Sequence, residues 1–152
     1  IYECLPSSPT RVTIHYEACR NLHRDLVTLR QMGHHPGLAL NPSTSLDLIE
    51  YVIEEIDHAL IMTSNPGFPD QKMTSQVVRK IERLRDWRNE SGRTFEIGVD
   101  GDVGLDNASE LVTAGAELLT LPQKSLANAS KLAAAIEVAL SPGSDETDNS
   151  AK

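Results

Sequence analysis

From Arg11 onward the sequence alternates short, apolar, β-branched runs with longer amphipathic stretches, and this alternation constrains the fold more than any other feature. Runs that are apolar on both faces are what buried parallel strands require, and the stretches between them supply crossover helices. Strands are expected at Arg11–His15, Gly37–Leu40, His58–Thr63, Thr94–Val99 and Glu117–Leu121. The first helix is expected over Asn21–Met32, with Leu22, Leu26 and Leu29 at helical spacing and Gly33 as its stop. Ser45–Glu55, Thr74–Glu90, Asn107–Ala114 and the Ala-rich Ser125–Leu140 read the same way. Five βα units result, an α/β domain over residues 1–140. The remainder, 141–152, is polar and acidic and is expected to be a disordered tail.

A chain of 152 residues with net charge −8 is long enough for one domain that buries roughly two thirds of its unfolded surface. The charge argues against nucleic acid, because binding a phosphate backbone needs clustered Lys and Arg. Seven of the 14 basic residues lie between Lys72 and Arg93, but Glu82, Asp86 and Glu90 are interleaved with them, as on a solvated helix face. No apolar run approaches the roughly 18 to 20 residues that span a bilayer. Cys4 and Cys19 form no CxxC pair, which fits reduced thiols and a cytoplasmic location. A start at Ile1 rather than Met suggests a processed, trimmed or partial chain.

Three segments carry more specific information. In Gly37-Leu38-Ala39-Leu40-Asn41-Pro42-Ser43-Thr44-Ser45 a strand runs into a capped helix. From Ala59 to Lys72 a buried strand enters a turn-rich loop, and loops at that position build the active face of parallel α/β folds. In Phe95-Glu96-Ile97-Gly98-Val99-Asp100-Gly101-Asp102 an apolar strand delivers Asp100 at its C-terminal end. A carboxylate there is a candidate acid, base or metal ligand; it reads equally as a turn or cap for the next helix.

In this order and spacing the segments resemble the ribulose-phosphate 3-epimerase family over about Val12–Leu126. The matching motifs are His15-Tyr16-Glu17, Ala39-Leu40-Asn41-Pro42, Met62-Thr63-Ser64-Asn65-Pro66-Gly67-Phe68, Gln71-Lys72, Asp100-Gly101 and Ala114-Gly115-Ala116. The resemblance implies a partial (β/α)8 TIM-type barrel whose five units correspond to the family's strands four to eight. It implies an isomerase of the pentose phosphate and Calvin pathways that inverts carbon 3 of a pentulose 5-phosphate. Two aspartates exchange the proton, and a divalent metal, commonly zinc, polarises the substrate oxygens. Carried over by position, Asp100 is one of those aspartates and a metal ligand, while Met62, Gly67, Phe68 and Gly101 contact substrate. His15 does not match a metal ligand of the family and reads as a core or loop histidine.

The chain also departs from the pattern. The family's three earlier strands, which carry the other metal ligands, have no counterpart here. Pro69 and Asp70 replace two glycines after Phe68, Asp102 replaces a glycine after Gly101, and Pro122-Gln123 replaces Gly-Ser after the last strand. Those glycines lend backbone N–H groups to the substrate phosphate; proline removes a donor and aspartate adds repulsion. Lys72 and Lys124 are cations placed to compensate. The expectation is a chain impaired or inactive by itself, completed by a missing N-terminal half, a second copy or a partner. The alternative is a non-catalytic module on the same scaffold.

Overall fold

The computed structural model describes residues 4–68 and 71–141, with only the main chain of Lys124 and Leu126. Five strands, β1 (Arg11–His15), β2 (His35–Leu40), β3 (His58–Met62), β4 (Glu96–Asp100) and β5 (Leu118–Leu119), form one sheet in the order β1-β2-β3-β4-β5. Every pairing is parallel. The connections pass through α1 (Leu22–Gln31), a 3-10 helix at Leu46–Glu55, α2 (Gln76–Ser91) and α3 (Ala108–Ala114). A 3-10 turn at Gln123–Asn128 and α4 (Ala129–Leu140) follow β5. Each strand pairs with its neighbour in sequence, so the order never reverses. That is the winding of a barrel arc, in contrast to the reversal of a doubly wound sheet.

Alternation along the strands sorts the side chains into two layers. Leu38, Leu40, Ala59, Ile61, Ile97 and Val99 are fully buried on one face, in a single cluster with Leu26 of α1, Ile49 of the 3-10 helix, Ile81 and Leu84 of α2 and Leu111 of α3. On the other face His58 is buried between two glycines. A Cβ at Gly37 would meet the His58 ring at 3.3 Å, and one at Gly98 would meet it at 2.6 Å.

Several expected elements differ in extent or type, most by one or two residues. The stretch read as an α-helix from Ser45 is a ten-residue 3-10 helix that buries Leu46, Ile49, Val52 and Ile53, the first three at the three-residue spacing of a 3-10 turn. β2 begins two residues earlier than Gly37, because Pro36 lacks a donor but its carbonyl accepts from the Asp57 N–H at 2.8 Å. β5 shrinks to two residues at the edge, where only β4 offers partners. The last helix splits at Asn128. Beyond Ser141 the acidic tail lies outside the described residues, as do Pro69 and Asp70. No described helix is long and apolar enough to cross a membrane.

Candidate functional site

The C-terminal ends of the strands form one rim, and β4 carries Asp100 to it. In the β3–β4 register Met62 pairs with Asp100, and the Thr63 N–H continues the ladder by donating to the Asp100 carbonyl at 2.7 Å. The turn beyond is then fixed from the same residue. Thr63 is fully buried, and its Oγ1 accepts from the Asp102 N–H at 3.0 Å. Gly101 lies between these two bonds with φ +131°; a Cβ there would press on the Thr63 hydroxyl and stand 2.8 Å from the Ser64 Oγ. Only glycine takes that conformation and that approach without strain. The Asp100 carboxylate itself, half-buried, receives no hydrogen bond from a described residue.

Beside this turn a cavity of about 470 Å³ opens, lined by Met62, Gly67, Phe68, Gly101, Asp102 and Pro122 together with Ser64, Asn65, Pro66 and Gln71. Six positions singled out in the sequence therefore share one cavity. Asp100 and Gln123 are not among its lining residues; Asp100 precedes Gly101 in the chain and pairs with Met62 across the strands. The loop over the cavity is shaped by Gly67 at φ +82° and tied down by Gln71, whose Oε1 accepts from the Asn65 N–H at 2.7 Å. Phe68 is 70% exposed on this loop.

A second cluster closes the rim at β1 and β2. The Glu17 carboxylate accepts from the Asn41 N–H at 2.9 Å and from the Thr44 hydroxyl, while His15 Nδ1 lies 3.4 Å away. Burial raises the Glu17 carboxyl, but the bonds from Thr44 and Asn41 outweigh it and hold the group below the usual carboxylate range. Lys80 of α2 donates to the carbonyls of Asn41 and Pro42, both at 2.8 Å. Burial pushes its ammonium below lysine's ordinary value, with Glu17 opposing. His15, expected in the core or a loop, ends β1 and lines a shallow cavity shared with Asn65, Pro66 and Phe68. Neither the Thr63 clamp nor this cluster announces itself in the sequence, since each forms between residues far apart in the chain.

The metal implied by the resemblance can be tested against these side chains. Among the described residues no three His, Cys, Asp or Glu groups come together in a set that could hold a metal ion. Catalytic zinc ordinarily takes three protein ligands. The described donor set does not fit a resident metal.

The family model described as "Ribulose-phosphate 3 epimerase family" matches residues 2–124. The ribulose-phosphate 3-epimerase of Bacillus subtilis is 38% identical over 109 residues, 71% of this chain and 50% of that one. Those of Synechocystis sp. and Methanocaldococcus jannaschii are 40% and 37% identical over 108 residues each, 71% of this chain and 47% and 46% of theirs. The chain spans about half the length of the curated relatives it matches.

Proposed function

The chain belongs to the ribulose-phosphate 3-epimerase family, and from that premise we propose that it contributes the ligand-facing rim of a site for epimerising a pentulose 5-phosphate at carbon 3. The five parallel units are then part of the family's barrel, whose active face lies at the C-terminal ends of the strands. The observation that carries the reading is Asp100 at the end of β4, a carboxylate that receives no hydrogen bond from a described residue and is the neighbour of Gly101 and the strand partner of Met62, which both line the cavity.

In this reading Asp100 removes the carbon-3 proton. The carbon–hydrogen bond breaks, its electron pair moves toward the neighbouring carbonyl, and an acid on the opposite face returns a proton with inversion. Met62 packs beside the planar intermediate. Family membership suggests a divalent metal, zinc in the proposal, which the described side chains of this chain do not fit by themselves. The ligand set described above does not supply its site, so turnover by this chain is expected to be slow.

Epimerisation of ribulose 5-phosphate by the purified chain with zinc added, beside an Asp100→Asn variant, tests the proposal. Slow turnover that drops at least tenfold on substitution supports it. Turnover unaffected by the substitution contradicts it. That no three such ligands group among the described residues favours a second reading, a non-catalytic module on the same scaffold, and no turnover by either protein would support that reading instead.

A further inference from the structure

Thr63 is the first residue beyond β3 and is fully buried, between Met62 and Ser64, which both line the 470 Å³ cavity. Each of its polar atoms is bonded. Its N–H donates to the Asp100 carbonyl at 2.7 Å, its Oγ1 accepts from the Asp102 N–H at 3.0 Å, and its carbonyl accepts from the Thr74 N–H at 3.0 Å. The first two bonds grip the chain on either side of Gly101, so the backbone that carries the Asp100 side chain is held at both flanks. The third returns the loop that leaves at Ser64 to the strand it came from. The two walls of the cavity, Asn65 to Phe68 on the loop and Gly101 with Asp102 on the turn, are therefore tied to one residue. A further bond, from the Met73 N–H to Asp102 Oδ2 at 3.2 Å, joins the same two segments.

Two of the three bonds of Thr63 use its main chain, which any residue supplies. The bond from Asp102 needs the hydroxyl. That bond matters because of its neighbour: Gly101, at φ +131°, permits the turn but does not hold it, since glycine moves readily between conformations. Without the oxygen the Asp102 N–H would face a methyl group, and the turn would keep its main-chain tie on the Asp100 side alone.

We infer that Thr63 is a positioning residue: by accepting from Asp102 its hydroxyl fixes the Gly101 hinge, and with it the placement of the Asp100 carboxylate on the rim. This rests on the reading of Asp100 as the group that moves the proton. A displacement of about 1 Å at a reacting group can lower a rate roughly a hundredfold. Loss of the hydroxyl therefore acts on turnover, while the loop and Met62 go on lining the cavity and affinity changes little.

The test uses two pairs of proteins that differ by the oxygen alone: the unsubstituted chain against Thr63→Val, and Thr63→Ser against Thr63→Ala. The second pair keeps the comparison valid if valine loosens the whole fold. Amide hydrogen exchange at Asp102 reads the clamp. Its control is the His35 N–H, which donates to the Thr10 carbonyl at 3.0 Å at the N-terminal end of β2. Turnover of ribulose 5-phosphate with zinc added, resolved into kcat and KM, reads the consequence. Within each pair, loss of the oxygen should speed Asp102 exchange at least tenfold with His35 unchanged, lower kcat at least tenfold and leave KM within threefold. Thr63→Ser should stay within threefold of the unsubstituted chain in every quantity. Asp102 exchange unaffected by the oxygen overturns the inference, as does faster exchange with kcat retained. A kcat equally low in Thr63→Ser and Thr63→Ala assigns the effect to the methyl group and also overturns it. No turnover by the unsubstituted chain overturns the reading of Asp100 and the effect on rate with it, while the exchange arm still decides whether the hydroxyl holds the turn.

Discussion

At the N-terminal end of β3, His58 is 2% exposed, and its Nδ1 finds no hydrogen-bond partner among the described residues. At the C-terminal end of β4, Asp100 is half-buried and likewise has no partner among the described residues, but it adjoins Gly101, which lines an open cavity. Both are titratable groups on the same face of the sheet, by the alternation His58, Leu60, Met62 and Glu96, Gly98, Asp100. Their surroundings set their roles. His58 is enclosed by Gly37 and Gly98, and near it Arg11 and Glu96 pair at 2.6 Å between β1 and β4. Burial, reinforced by the charge of Arg11 and opposed by Glu96, pushes the imidazole below its ordinary pKa and keeps it neutral. Asp100 has no such cover. A buried polar group at one end serves the packing, and a half-buried one at the other is the group the proposed function aims at a ligand.

The comparison can be broken first at Gly101. Gly101→Ala adds a Cβ against Thr63 and Ser64 at a positive φ and should cost about 3 kcal/mol in urea-monitored unfolding. Gly67→Ala, on the open loop with nothing within 4 Å of the new carbon, should cost about 1 kcal/mol, the left-handed strain alone. Equal losses would mean that the Thr63 clamp is not rigid.

The closed end is tested by acid. The unfolded His58 titrates near 6.5 and the folded one below it, so unfolded chains take up the proton first. Stability is complete above about pH 6.5 and falls as the pH drops below it. In His58→Phe this part of the decline should disappear. A decline unchanged in slope between pH 7 and 5.5 would assign it to other groups. The carboxyls of Glu17 and Asp57, both held below their ordinary values despite burial, act only at lower pH and do not confuse the reading.

Much of the fold was legible because its cause is local. Leu38, Ile61, Ile97 and Val99 form apolar runs that only buried parallel strands use, and β1 falls at Arg11–His15 as the pattern predicts. The 3-10 helix was not legible, since the spacing Leu46, Ile49 and Val52 also fits the face of an α-helix. The length of β5 depends on how far β4 runs beside it, which the β5 sequence does not encode. At the site, the motifs brought Met62, Gly67, Phe68, Gly101, Asp102 and Pro122 into view before their common cavity was known. The bond from Met73 to Asp102 joins residues 29 apart, and the one from Asp102 to Thr63 joins residues 39 apart. Such contacts follow from the packing of β3 on β4 and leave no periodicity to read. Asp102 was visible as a charge in place of glycine; that the charge is tied to the 71–73 segment was not.

The central claim is that ligand meets this chain at the C-terminal rim. It is tested most directly by mapping amide shifts as ribulose 5-phosphate is added at millimolar concentration. The account predicts shifts at Gly67, Gly101 and Asp102 with Arg11, His58 and Glu96 unmoved. Shifts centred on Arg11, His58 and Glu96, or none at the rim, would contradict it.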